Sequence, residues 1–132
     1  MDLDKKILIA DDEANIRILM EQVLEKLEDE GVELLIAENG KEALETIEYE
    51  KPDLVFLDMM MPKMNGLDVC KAVKQELQIP DVYIIMLTAK GQENDKEKGL
   101  QVGADLYMTK PFRPKAVLEK SREILKVSSV IS

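Results

Sequence analysis

The chain contains no histidine and a single cysteine among its 132 residues. Without histidine there is no Ser-His-Asp triad, no His-ligated zinc and no phosphohistidine formed on the chain itself. One cysteine excludes an internal disulfide. Cys70 falls in an apolar stripe with Leu67, Val73 and Leu77. It reads as a reduced core residue, because a reactive thiol needs a basic neighbourhood that the sequence does not supply. Positive charge is also short: 18 Lys and Arg face 27 Asp and Glu, a net charge of −9. That balance argues against direct nucleic-acid binding, which needs a basic stripe to displace counterions. No apolar run approaches the roughly 20 residues of a membrane span. Residues 1–6 are charged and lead straight into an apolar run, without the apolar stretch of a secretory signal. No membrane association and a cytoplasmic location are therefore expected.

Hydrophobic residues make up 45% of the chain, enough for one domain with one core. Residues 1–127 are expected to form that domain, with 128–132 a tail or the start of a linker. Short apolar runs at 6–10, 33–37, 54–57, 83–87 and 106–109 alternate with helical patterns. Such runs read as buried parallel strands, joined by right-handed crossovers and covered by helices on both faces. The first helix is predicted over about 14–28, with Ile16, Leu19, Met20, Val23, Leu24 and Leu27 on one apolar stripe. Asn39 looks like an N-cap with Glu42 as its capping-box partner, for a helix that buries Ala43, Leu44 and Ile47. A third helix starts at Gly66 and stops before Pro80. Residues 91–98 are so polar that the helix they suggest should be held loosely. A last helix begins near Pro114 and buries Val117, Leu118, Ser121, Ile124 and Leu125.

The chemistry-bearing residues follow the strand-like runs. Asp11, Asp12 and Glu13 follow the first, Asp58 the third, Thr88 the fourth, and Lys110 and Pro111 the fifth. In an open parallel sheet, functional groups lie beyond the carboxyl ends of the strands. Asp11, Asp12 and Asp58 converge if the first and third runs are neighbouring strands. Three carboxylates repel, and a hard divalent ion such as Mg²⁺ removes that conflict. Lys110 adds a point charge for an anion, and Thr88 a hydroxyl donor. This set suits phosphoryl transfer to an aspartate, with Asp58 as the nucleophile. Taken singly, each residue has a plainer meaning: a cap for Asp12, a β-former for Thr88, a loop pair for Lys110-Pro111, core filler for Met59, Met60, Met61 and Met64. Their joint occurrence in the right order is what points to a site. Any phosphohistidine involved must belong to a partner.

With these residues in view, the chain resembles the receiver domain of two-component response regulators over essentially its whole length. The matching residues are Asp11-Asp12, Asp58 with Met61-Pro62-Lys63-Met64-Asn65-Gly66, Thr88-Ala89, Gly103-Ala104-Asp105, and Tyr107-Met108-Thr109-Lys110-Pro111-Phe112. The resemblance implies a flavodoxin-like α/β fold with sheet order 2-1-3-4-5, the order of chemotaxis receivers. It implies Asp58 as phosphoacceptor. Asp12, Asp58 and the Met60 backbone carbonyl would ligate Mg²⁺, with Mn²⁺ as an alternative and Asp11 acting largely through water. Thr88 would bond the phosphoryl group, Lys110 would pair with it, and Tyr107 would change its burial as Thr88 moves. Lys110-Pro111 would be cis. Lys90 and Met60 would border the phosphoryl pocket. The implied partners are a sensor histidine kinase or histidine phosphotransfer protein, a downstream protein or output domain, and a phosphorylation-dependent second copy. The implied output surface is the fourth helix, fifth strand and fifth helix.

Three other functions compete. An aspartyl-phosphate phosphohydrolase usually carries a second acid two residues after the nucleophile, where this chain has Met60. A flavin carrier would want a Ser-, Thr- and Gly-rich loop after the first strand, and Asp11-Asp12-Glu13 would repel its phosphate. An interaction module that is never phosphorylated is separated by a phosphorylation assay. The expected role is a signalling switch that catalyses only its own phosphorylation and dephosphorylation.

Overall fold

The computed structural model describes residues 4–79, 81–89 and 102–126. Within them, five strands form one parallel sheet: β1 (Lys6–Ala10), β2 (Glu33–Ala37), β3 (Leu54–Asp58), β4 (Tyr83–Ala89) and β5 (Leu106–Lys110). Their order is β2-β1-β3-β4-β5, the expected doubly wound arrangement. The α-helices among the described residues are α1 (Ala14–Val23), α2 (Glu25–Asp29), α3 (Gly40–Glu50), α4 (Gly66–Lys71) and α5 (Pro114–Leu125).

Alternation along the strands sorts the core into two layers. Leu8, Ala10, Val55, Leu57, Ile84 and Met86 face α3 and α4, where they meet Ala43, Ile47, Val69 and Cys70. Ile7, Ile9, Leu54, Phe56, Ile85 and Leu87 face the other way, onto Met20, Leu24, Leu27, Val117 and Leu125. Successive strand residues point to opposite faces, so a strand buried on both reads as an unbroken apolar run. Three strands extend further than the apolar runs suggest, and Asp58, Thr88 and Lys110 lie within their last residues.

Asn39 caps α3 as expected: its Oδ1 accepts from the Glu42 N–H at 2.9 Å. The Glu42 carboxylate reaches back to the Glu38 N–H at 3.1 Å, one residue further than in the standard capping box. Three expectations need correction. The first helix breaks at Leu24, although Leu24 N–H still bonds the Met20 carbonyl and Glu28 N–H the Leu24 carbonyl, so the column stays continuous. Leu19 lies at the margin of the apolar stripe and is 37% exposed. Leu77 is also exposed, because α4 continues as a π-helical turn over Ala72–Glu76. The Leu77 N–H bonds the Ala72 carbonyl five residues back, and the wider turn carries Leu77 off the stripe of Cys70 and Val73.

The π-turn has a visible partner. Lys74 donates to the Val82 carbonyl and pairs with Asp105 at 3.0 Å, and Asp105 accepts from the Ile84 N–H at 2.8 Å. The expected helix over 91–98, and Lys90, lie outside the described residues. Among the described residues, no helix is long and apolar enough to cross a membrane.

Candidate functional site

Sheet order decides which strand ends meet. β1 and β3 are neighbours, and β3 pairs with β4 so that Asp58 stands opposite Leu87, one residue before Thr88. Lys110 ends β5, at the far edge of the sheet, and its long side chain returns across the top. Its ammonium lies 2.8 Å from Asp11 Oδ2, 3.3 Å from Asp58 Oδ1 and 3.7 Å from Glu13 Oε1. The structure therefore brings Asp11, Asp58 and Lys110 together as expected from the strand ends. Thr88 is buried beside them on β4, and Tyr107 packs against the core layer formed with α3 and α4. Lys110-Pro111 is cis.

Asp11 is the anchor of the group and is fully buried. Its N–H donates to the Ala37 carbonyl at 3.2 Å, and its Oδ1 accepts from the Glu13 N–H at 2.9 Å. Its carbonyl accepts from Arg17 at 2.8 Å. These bonds fold the end of β1 into a tight turn. One carboxylate oxygen from each of Asp11, Asp12 and Glu13 lies within 4.8 Å of the other two. Asp12 and Glu13 are exposed, while Asp11 lies beneath them. Glu13 was not expected among the ligands; adjacency to the Asp pair is its one signal in the sequence.

Asp58 is almost wholly buried, and burial raises its carboxyl to about 7. The Asp11 charge pushes the same way, while Lys110 and the Met60 N–H pull back. Burial pulls the Lys110 ammonium down, but its close ion pair with Asp11 and the charge of Asp58 outweigh that and raise its pKa. The pocket thus carries more negative charge than one ammonium offsets.

The loop after Asp58 is fixed by backbone bonds. Met59 N–H donates to the Leu87 carbonyl at 3.1 Å, and Gly66 N–H to the Met59 carbonyl at 2.9 Å. Asn65 caps α4 by accepting from the Asp68 N–H at 2.8 Å. Gly40 must lack a side chain, since a Cβ there would fall 1.6 Å from the Met64 carbonyl oxygen. Met59 and Met61 are buried, whereas Met60 is 64% exposed and is not core filler.

A divalent cation fits this donor set. Asp11 Oδ2 is buried and makes no hydrogen bond of good geometry, although the Lys110 ammonium is close. The donors are all hard oxygens, without histidine or thiolate, which suits Mg²⁺ rather than zinc.

Comparison with known proteins agrees with this geometry. The family model for the response regulator receiver domain matches residues 7–122. The alkaline phosphatase synthesis transcriptional regulatory protein PhoP of Bacillus subtilis is 46% identical over 97% of this chain and 51% of its own length. The phosphate regulon transcriptional regulatory protein PhoB of Pseudomonas aeruginosa is 45% identical over 92% of this chain and 52% of its own. The chain thus spans about half the length of these curated relatives. A crystal structure of a response regulator from Chloroflexus aurantiacus superposes with a TM-score of 0.80 at 34% identity, covering 92% of this chain and 98% of that one. Fold, strand-end acids and family match converge: the chain belongs to the response regulator receiver domains of two-component systems.

Proposed function

We propose that Asp58 accepts a phosphoryl group from a phosphohistidine on a sensor kinase or phosphotransfer protein. The observation that carries this reading is a buried Asp58 carboxylate held 3.3 Å from an ammonium that also grips Asp11. An Asp58 oxygen attacks phosphorus, the P–N bond to the partner's imidazole breaks, and that nitrogen leaves with the bonding pair. Lys110 holds the acceptor oxygen and then faces the new phosphoryl oxygens. Thr88 offers its hydroxyl to the same group. Asp12, Asp58 and the Met60 carbonyl would hold Mg²⁺ or Mn²⁺, with Asp11 and Glu13 beside them. When bound, the ion neutralises phosphoryl oxygens during transfer. The domain catalyses only its own modification and hydrolysis, on a receiver spanning 1–127. Its output passes through Thr88 and Tyr107 to the segment between β4 and β5, to β5 and to α5. That surface then contacts a downstream protein, an output domain or a second copy. Both curated relatives named above are transcriptional regulators, which supports a transcriptional output.

The test is labelling with acetyl phosphate and Mg²⁺, read by intact mass. Wild type gains one phosphoryl group, and Asp58→Asn gains none. Equal incorporation into both proteins would assign the phosphate elsewhere and remove Asp58 as acceptor.

A further inference from the structure

We propose that Arg17 is a positioning residue for the acidic turn after β1. It braces the Asp11 backbone so that the carboxylates of the turn face a divalent cation together. The proposal rests on the reading of that turn as part of a Mg²⁺ site. Arg17 lies one turn into α1, and its side chain is only 14% exposed. One guanidinium nitrogen donates to the Asp11 carbonyl at 2.8 Å, and the other to Glu38 Oε1 at 3.2 Å. The fork therefore ties the end of β1 to the residue that follows β2. The Asp11 carbonyl lies beyond the strand ladder, at the point where the chain turns to expose Asp12 and Glu13. Neither bond goes to a carboxylate of the turn. Arg17 grips the Asp11 backbone, whereas Lys110 meets the carboxylates of Asp11 and Glu13.

Two roles for Arg17 predict effects of opposite sign. If Arg17 were only a nearby positive charge, removing it would tighten cation binding, since like charges repel. If it braces the turn, removing it lets the ligands drift and weakens binding. Outer-shell partners of metal ligands typically contribute about 10–100-fold in affinity. Lysine keeps the charge but cannot reproduce a planar fork that spans two acceptors.

The experiment is calorimetric titration of MgCl₂ into the wild-type chain, Arg17→Ala, Arg17→Lys and Arg122→Ala. Arg122 forms a comparable arginine–glutamate pair, with Glu30, and controls for general loosening. Amide exchange of residues 11–14 is measured in the same proteins without metal. Both Arg17 variants should bind Mg²⁺ roughly tenfold or more weakly and exchange faster over 11–14, while Arg122→Ala matches wild type in both. Unchanged or tighter binding by Arg17→Ala, beside a wild type that binds, overturns the brace alone. Equal weakening in Arg122→Ala overturns it too, as general destabilisation. A wild type that takes up no Mg²⁺ removes the metal reading itself.

Discussion

Gly66 lies against the backbone of Asp58 so closely that a Cβ would stand 2.3 Å from the Asp58 carbonyl oxygen. The same Cβ would meet the Met59 Cα at 2.9 Å. These are backbone atoms of a strand end, which cannot swing aside as a flexible side chain can. Gly66→Ala should therefore lower stability by about 1–3 kcal/mol, the usual cost of overpacking. It should also shift Asp58 and reduce acetyl phosphate labelling. Urea unfolding measures the first effect. A variant as stable as wild type, with normal labelling, would show that this contact sets nothing.

The raised Asp58 carboxyl makes stability of the metal-free protein depend on pH. Asp58 binds its proton more tightly folded, with a value of about 7, than at the ordinary 3.8. Its contribution to stability is present in full below about pH 4 and is lost as pH rises through about 7. Asp58→Asn removes both this titration and the repulsion from Asp11. At pH 8 without metal, that variant should be more stable than wild type by on the order of 1–3 kcal/mol. The gain should shrink toward pH 4. Melting curves across this range check it; a variant less stable than wild type at pH 8 would contradict the raised Asp58 carboxyl.

Burial pushes the Cys70 thiol up to about 12. The thiolate is the reactive form, so the folded protein should resist alkylation at pH 8. A thiol reagent should react roughly a hundredfold or more slower than with the urea-unfolded chain. Comparable rates in the two states would mean that Cys70 is not in the core.

Much of this was legible in the sequence, and the parts that were not share a cause. The parallel strands and the polar residues at their ends follow from the apolar runs, while the strand order that makes Asp11, Asp58 and Lys110 meet was implied by the family resemblance. Asn39 was legible because a cap acts within three residues. Arg17 was not, because a lone arginine on a helix looks like any solvated charge until Glu38 and the Asp11 carbonyl come beside it. The π-turn was hidden for a similar reason. It accompanies Lys74 reaching Val82 and Asp105, just before β4 and β5, and such contacts leave no signature within the helix's own sequence. Leu19 and Leu77 were misplaced because periodicity gives the direction of an apolar face but not its width.

The pair between Glu30 and Arg122 joins residues 92 apart in sequence, through two bonds of 3.0 and 2.7 Å. A link that closes so long a loop carries most of its entropic cost until the intervening strands are in register. It therefore belongs to the end of folding rather than its start. Breaking it should leave the refolding rate nearly untouched and quicken unfolding. The end of α2 and the last helix are in effect latched after assembly, and the latch acts on how long the folded chain lasts rather than on how fast it forms.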